Sequence, residues 1–278
     1  MHDKHPTNIL VIKLGALGDF IQALGPMKAI RHHHPDSRIT LLTTKSFEDL
    51  GRDSGYFDDI WIDPRPKFFD LPGWSDLGKR VNQAGFKRVY DLQNNDRTAM
   101  YFKLFRPKPE WSGIVKGASH RNTDPGRKYR HAFDGHQKTL AIAGIDDIDI
   151  DNLDWMQGDT KRFQLPGRYC VLVPGCSPKH PEKRWPTRHF IELSEMLEKE
   201  KIVPVLIGTK TEKETLEEIE KSCPYCINLC DQTKIYDIAG IARGAEFVVG
   251  NDTGPIHLAA ATGSPTIVFF NTQKSNPV

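Results

Sequence analysis

The chain has 278 residues, of which 38% are apolar and 27% charged, and its formal net charge is +2. These values predict a soluble globular protein of about two domains and exclude a polycation that binds nucleic acid along its whole length. The first apolar run is too short for a secretory signal, so a cytoplasmic location is expected.

The first half alternates strand and helix patterns. Residues 8–15, NILVIKLG, form a continuous apolar run that is typical of a buried strand. A glycine-rich turn follows, and apolar residues then recur at helical spacing up to Pro35. Further strands are predicted at 38–44, 58–64 and 88–93, whereas 106–136 reads as loops with a poorly patterned helix.

The second half repeats this alternation after a linker at 163–168. Strands are predicted at 169–175, 202–208, 246–250 and 265–270, and residues 255–262 are predicted as a helix. Thr187 is expected to cap one helix, and Thr211 with Glu214 to form the capping box of the next. Pro204 predicts that its strand begins late or lies near an edge.

Strand and helix alternate in this way in doubly wound folds with parallel sheets. We therefore predict an α/β protein with a domain at 1–160 and a second at 161–278. Residues 254–273 lack charged side chains but contain two glycines and two prolines, which indicates a buried core segment rather than a membrane span.

A basic segment runs from Phe86 to Lys138. It contains 12 Lys and Arg residues against 5 Asp and Glu residues, a local excess of +7. Such a segment suits an anionic partner, although a solvated surface rich in loops explains it equally well.

Three of the five cysteines cluster as Cys223, Cys226 and Cys230. Cys-Pro-Tyr-Cys resembles a redox motif, but here it follows a helical run instead of opening a helix. A zinc site would lack an obvious fourth ligand. Packing at a helix end is the favoured interpretation.

The segment VVGNDTGPIHL, residues 248–258, contains Asp-Thr-Gly between a predicted strand and a predicted helix. An aspartic protease would need an all-β setting and a second catalytic aspartate. A helix that begins after a strand can instead bind phosphate through its free N–H groups. Gly254 permits close approach, and Pro255 suits the first helical position. A plain turn, with a structural His257, is the remaining alternative.

The first half has a comparable loop, KLGALGDFIQ, in which Gly15 and Gly18 bracket a turn before Asp19. It lacks the dinucleotide fingerprint, and no acidic residue follows the strand at 38–44, so NAD binding is weakly supported. Asp19 suits either a helix cap or a general base kept ionised by the helix dipole.

Four segments in order resemble the ADP-heptose:lipopolysaccharide heptosyltransferases, glycosyltransferase family 9. They are ILVIKLGALGDFIQALGPMKAIR, VYDLQ, LVPGCSPKHPEKRWP and VGNDTGPIHLAAATGSPTIVFFN. The resemblance implies two facing Rossmann-like domains of the GT-B architecture. It also implies inverting transfer of heptose or a related sugar from an ADP-sugar, without a cofactor or metal ion.

The resemblance assigns roles to individual residues. Asp19 becomes the general base, and Lys183 neutralises the departing diphosphate. The implied donor-binding residues are Ser177, Glu212, Asp252, Thr253, Gly254, Pro255 and His257. Glu214 is close enough in sequence to compete with Glu212 for the ribose contact.

An anionic lipopolysaccharide core would explain the basic segment. The predicted acceptor-binding residues are Gly18, Arg97, Lys116, Arg121, Arg127, Lys128 and Arg130. A lipid-linked acceptor favours peripheral contact with the inner face of the inner membrane; no nucleic acid is expected as a partner. Asp-x-Asp patterns in DDIDID, residues 146–151, are disfavoured as metal ligands because they lie near the domain junction.

Relatives continue beyond the point that matches Val278, so the usual C-terminal segment is expected to be missing here. Two alternatives follow: a catalytically weakened protein that binds nucleotide sugars, or another Rossmann-type nucleotide enzyme.

Overall fold

A computed structural model describes residues 7–126, 131–176 and 181–270. The chain divides into two compact units, Met1–Asp151 (unit 1) and Asn152–Val278 (unit 2). The division comes earlier than residue 160 because the intervening residues are tied to unit 2. Arg243 donates hydrogen bonds to the carbonyl oxygens of Met156, at 2.7 Å, and Leu153.

Unit 1 is built on a six-stranded sheet. Its elements are β1 (Asn8–Ile12), α1 (Leu17–His33), β2 (Arg38–Thr43), α2 (Glu48–Asp53), β3 (Asp59–Ile62), α3 (Leu71–Gln83), β4 (Arg88–Asp91), α4 (Asp96–Phe102), β5 (Glu110–Gly113), β6 (His120–Arg121) and α5 (Ala132–Ala141). The strand order is β3-β2-β1-β4-β5-β6, and every pairing is parallel. This is the doubly wound order of dinucleotide-binding folds.

Two strands lie in the segment predicted as loops, so that prediction was wrong for 110–113 and 120–121. β5 and β6 are short and lie at one edge of the sheet, where alternation has little length in which to develop. Packing defines β5 instead. Trp111 is fully buried, with the Phe102 and Phe105 rings edge-on at 5.1 and 5.6 Å.

Unit 2 has a five-stranded sheet. Its elements are β7 (Tyr169–Val173), α6 (Thr187–Lys199), β8 (Val203–Leu206), α7 (Lys213–Ser222), β9 (Ile227–Asn228), α8 (Ile235–Gly244), β10 (Val248–Asn251), α9 (Gly254–Ala261) and β11 (Thr266–Phe269). The order is β11-β10-β7-β8-β9, again with parallel pairing. The predicted fold class, α/β with two parallel sheets, is confirmed.

Pro204 lies inside β8, one strand from the edge of the sheet. The amides of Val203 and Ile207 donate to the carbonyl oxygens of Arg168 and Leu172, which lie next to and within β7. Because successive amides of a strand point to opposite sides, the nitrogen of Pro204 faces β9. Pairing with β9 begins only at Val205. The missing N–H therefore costs no ladder hydrogen bond, which explains how a proline fits here.

Two predicted helix caps were wrong. Thr187 is the first residue of α6, and Pro186 occupies the N-cap position. The capping box before α7 joins Thr209 and Glu212 rather than Thr211 and Glu214. A short 3₁₀ turn, Lys210–Glu212, precedes α7 and moves the start of the helical segment two residues earlier.

The cysteine cluster has the predicted packing role at a helix end. Cys223 is the C-cap residue of α7, and Cys223 and Cys226 belong to the apolar core of unit 2. Burial raises the pKa of Cys226 to about 12, which disfavours the thiolate form that redox chemistry requires. Among the helices of the described ranges, none is long and apolar enough to cross a bilayer.

Candidate functional site

A cavity of about 230 Å³ lies at the carboxyl ends of β1 and β4 in the sheet of unit 1. Loops beyond the carboxyl ends of parallel strands are where doubly wound folds bind ligands. The lining residues are Lys13, Asp19, Leu92, Gln93, Asn94, His131, Ala132, Gly135, His136 and Thr139.

Asp19 is exposed and lines this cavity from the first turn of α1. It is not the cap, because the N-cap residue is Ala16 and Asp19 is the third helical residue. The turn before it needs glycine, since Gly15 has φ +123° and a β-carbon at that position would lie 2.7 Å from the Phe47 ring.

Two buried charged residues, Lys13 and Asp91, lie at the carboxyl ends of β1 and β4. Lys13 is only 3% exposed, and its ammonium donates to the carbonyl oxygen of Leu92 at 3.2 Å. Burial lowers the pKa of Lys13 to about 8, against the opposing effect of the Asp19 and Asp91 charges. Burial likewise raises the pKa of Asp91 to about 6.

The Asp91 carboxylate also shapes the backbone of the cavity wall. Its Oδ1 accepts hydrogen bonds from the amides of Gln93, at 3.0 Å, and Asn94, at 2.8 Å. Gln93 in turn accepts a hydrogen bond from the amide of Leu14 at 2.8 Å. The loops that follow β1 and β4 are thus fixed to one another at the cavity.

His136, on α5, supplies a polar atom that the fold itself leaves unused. The residue is 6% exposed, and its Nε2 makes no hydrogen bond with any residue that the structure describes. Burial and the Lys13 charge lower the pKa of His136 to about 3. The imidazole is therefore neutral at physiological pH, and its open nitrogen can serve a bound hydroxyl or water.

The predicted acceptor residues are distributed around unit 1. Gly18 is buried beside Asp19, and Arg97 donates to the carbonyl oxygen of Pro66 and to the Tyr101 hydroxyl, at 3.4 and 3.3 Å. The others that the structure describes are exposed: Lys116 and Arg121. Neither of these nor Arg97 lines the cavity. Three more predictions, Arg127, Lys128 and Arg130, fall outside the described residues.

The second candidate region is the loop between β10 and α9. Thr253 is the N-cap of α9, and Gly254 and Pro255 are its first two residues. Thr253 makes no side-chain cap hydrogen bond, and its hydroxyl has no partner among the described residues. This helix start therefore has hydrogen-bonding groups that the fold does not satisfy.

His257 and Asp252 are joined across the same loop. The His257 Nε2 lies 2.9 Å from the Asp252 Oδ1, and both side chains are about one-fifth exposed. The contact fixes the imidazole orientation and brings the predicted donor residues of the β10–α9 loop together.

Asn251 connects this loop to the one after β7. Its fully buried side chain donates to the carbonyl oxygen of Pro174 at 2.7 Å and accepts from the amide of Trp185 at 2.8 Å. Trp185 follows the short 3₁₀ turn Pro181–Lys183, so Asn251 holds the backbone that carries Lys183 beside the β10 loop. Ser177 lies outside the described residues, and so does the side chain of Lys183.

Glu212 faces the end of β7, because a β-carbon on Gly175 would lie 2.9 Å from the Glu212 carboxyl carbon. Its carboxylate accepts from the Thr209 amide and hydroxyl at 2.9 and 2.6 Å, and from the Thr211 hydroxyl at 2.9 Å. Glu214 is exposed in the first turn of α7. The position of Glu212 at the carboxyl end of β7 therefore favours it over Glu214 as the predicted donor-binding acid.

Sequence reasoning missed four of these polar residues: Lys13, Asp91, His136 and Asn251. Each is at least 94% buried. Three had a signal in the sequence, since a charged or amide side chain at the end of an apolar strand run needs a partner. His136 lies in a weakly patterned segment and had none.

The chain is similar to known proteins over most of its length. The family described as glycosyltransferase family 9 (heptosyltransferase) matches residues 144–277. The lipopolysaccharide core heptosyltransferase OpsX of Haemophilus influenzae is 23% identical over 95% of this chain and 79% of its own. Lipooligosaccharide heptosyltransferase 2 of the same organism is 33% identical, over 32% of this chain and 28% of its own.

Solved structures agree in fold. A glycosyl transferase family 9 protein from Veillonella parvula superposes with a TM-score of 0.80 at 20% identity, covering 96% of this chain and 82% of its own. The E. coli heptosyltransferase WaaC with ADP-2-deoxy-2-fluoro heptose gives 0.71 at 19% identity, covering 94% and 88%. Residues 144–277 therefore match glycosyltransferase family 9, the heptosyltransferase family, and the chain as a whole shares the fold of the solved family 9 and heptosyltransferase structures.

Proposed function

We propose that this protein transfers a heptose, or a related sugar, from an ADP-sugar to a hydroxyl of a lipopolysaccharide core acceptor, with inversion at the anomeric carbon. The observation that carries the proposal is the exposed Asp19 carboxylate, which lines the unit 1 cavity. A general base for glycosyl transfer must reach an acceptor hydroxyl in such a pocket.

The reaction follows from this assignment. Asp19 takes the proton of the acceptor hydroxyl as its oxygen bonds to the anomeric carbon, and the bond from that carbon to the ADP oxygen breaks. Because the oxygen enters opposite the leaving group, the configuration inverts. His136 offers its unpaired, neutral Nε2 as a further hydrogen-bonding group toward the acceptor.

The ADP-sugar is proposed to bind at the carboxyl edge of the unit 2 sheet. Thr253, Gly254 and the start of α9 suit the diphosphate, whose negative charge the helix dipole favours. Glu212 suits the ribose hydroxyls, and Lys183 stabilises the charge that develops on departing ADP. Relatives support this choice of donor, since one solved heptosyltransferase contains an ADP-heptose analogue.

The acceptor is proposed to be anionic and lipid-linked, as the names of the lipopolysaccharide heptosyltransferases imply. The basic residues Arg97, Lys116, Arg121, Arg127, Lys128 and Arg130 are assigned to its carboxylates and phosphates. A lipid-linked acceptor brings the enzyme to the inner face of the inner membrane, in the cytoplasm.

A direct assay tests the proposal. The purified protein is incubated with ADP-heptose and a deacylated core acceptor, and ADP release is measured together with the mass of the product. We expect an acceptor that is heavier by one heptose and a matching release of ADP. Binding of ADP-heptose without a heavier product would favour the alternative of a binding protein, and the absence of both would remove the proposal.

A further inference from the structure

An apolar patch projects from unit 1 immediately after β3. Six consecutive residues, Lys67–Pro72, are all exposed. Phe68, Phe69 and Leu71 are 71%, 89% and 76% exposed. They line a surface cavity of about 460 Å³ together with Trp74, Met100, Lys103 and Leu104. We call the six apolar residues of this group, without Lys103, the apolar patch. Contiguous exposed apolar side chains of this kind often mark a contact surface.

The fold holds this projection in a defined shape. The Trp74 indole N–H and the amide of Asp70 both donate to the carbonyl oxygen of Lys67, at 2.9 and 3.0 Å. Asp70 caps α3 through the amide of Gly73 at 3.0 Å. The rings of Phe68 and Phe69 touch edge to face with centroids 5.0 Å apart, but their high exposure shows that they contribute little to the core.

Exposed positive charge flanks the patch along the chain. Segments 64–74 and 100–108 contain five Lys and Arg residues and one acid, Asp70, whose carboxylate is engaged by the α3 cap. The five basic residues are all exposed: Arg65, Lys67, Lys103, Arg106 and Lys108. Exposed aromatic side chains flanked by cations suit the boundary of an anionic bilayer, where apolar groups enter the lipid and cations meet the headgroups.

The patch and the candidate site both lie on the side of the sheet that is formed by the carboxyl ends of its strands. It follows the carboxyl end of β3, and the cavity with Asp19 lies at the carboxyl ends of β1 and β4 in the same parallel sheet. β3 and β1 are separated by one strand, which is roughly 10 Å at ordinary strand spacing. Arg97 of α4 reaches the base of the projection at the carbonyl oxygen of Pro66.

We propose that the apolar patch and its surrounding cations dock this protein on anionic phospholipid, with Phe68, Phe69 and Leu71 entering the bilayer boundary. The proposal rests on the proposed function only for the reason to dock, which is to bring the cavity to a lipid-linked acceptor. The binding itself requires phospholipid alone.

Cosedimentation with vesicles tests the proposal, using vesicles of phosphatidylethanolamine and phosphatidylglycerol that contain neither lipopolysaccharide nor sugar nucleotide. We expect the protein to sediment with them, and to bind vesicles of phosphatidylcholine at least tenfold more weakly. F68S/F69S should weaken binding by about tenfold or more, since each ring leaves the lipid. K67Q/K103Q should remove much of the preference for anionic lipid.

A matched control replaces exposed apolar residues elsewhere, Ile150 (66% exposed) and Met196 (63% exposed), in the variant I150S/M196S. It should bind as the parent does. Equal binding by F68S/F69S and the parent, or no binding by the parent, would overturn the proposal. So would a parent dimer that F68S/F69S converts to monomer, because the patch would then join two copies.

Activity separates this proposal from the proposed function. Transfer to a deacylated, water-soluble acceptor should be unchanged in F68S/F69S, because the substitution leaves the cavity intact. Loss of that activity together with unchanged vesicle binding would assign the patch to the acceptor and overturn the membrane role.

Discussion

Gly175 and Glu212 are in such close contact that a β-carbon at residue 175 would overlap the Glu212 side chain, which would have to move to make room for it. The contact positions Glu212 at the carboxyl end of β7, in the region proposed for the nucleotide. It also yields a prediction about which of two neighbouring glutamates binds the donor.

We expect Glu212→Gln to weaken ADP binding by about tenfold, since a charge-assisted hydrogen bond to the ribose is replaced by a neutral one. Gly175→Ala should weaken it as well by displacing the Glu212 side chain. The exposed Glu214→Gln serves as the matched control and should bind ADP as the parent does. Calorimetric titration measures all three, and a weaker Glu214→Gln with an unaffected Glu212→Gln would reverse the assignment.

Asp19→Asn should lower the transfer rate by about 10² or more, which is the usual contribution of a general base. The affinity for ADP should stay unchanged, because Asp19 lies in unit 1 and the proposed diphosphate site lies in unit 2. Asp49→Asn, at an exposed position in α2, is the control. Initial rates with saturating donor measure the effect, and a rate within threefold of the parent would remove Asp19 from the role of base.

Asp91 should make stability depend on pH in an unusual direction. Its pKa is raised to about 6 from an ordinary 3.8, so between these values the folded protein binds more protons than the unfolded chain. The free energy of unfolding therefore falls as pH rises through this window. Asp91→Asn keeps the shape and an acceptor oxygen for the Gln93 and Asn94 amides but does not titrate.

The measurement is urea unfolding of the parent and Asp91→Asn at several pH values from 4 to 7. The parent should lose stability relative to the variant by on the order of 2 kcal/mol across this range. A constant difference between the two proteins would show that Asp91 keeps an ordinary pKa in the fold.

Asn251→Ala should destabilise the protein by about 2 kcal/mol, because it leaves the carbonyl oxygen of Pro174 and the amide of Trp185 without their partner. ADP affinity should fall as well, since the two loops that Asn251 joins carry the proposed donor residues. The exposed Asn152→Ala is the control and should change stability by less than about 0.5 kcal/mol. Thermal unfolding with and without ADP distinguishes the two effects.

The sequence was sufficient to predict the repeated order of strand and helix, because long apolar runs such as 8–15 and 169–175 stand out from their surroundings. It was insufficient for β5 and β6, whose few residues depend on tertiary contacts around Trp111. It also left Glu212 and Glu214 unresolved, since only the packing against Gly175 distinguishes them. Lys13, Asp91 and Asn251 stand out in the sequence as polar residues at the ends of apolar strands, but only the fold shows which groups they contact.

Asn251 has a consequence for the motions of unit 2. Its side chain accepts a hydrogen bond from the backbone amide of Trp185, and the Trp185 ring stacks on the Phe269 ring with centroids 4.1 Å apart. Opening at any of these three positions must disturb the other two, so the loops after β7 and β10 should open as one cooperative element. The deuterium exchange rate of the Trp185 amide would then report the frequency at which that element opens, in the absence of any ligand.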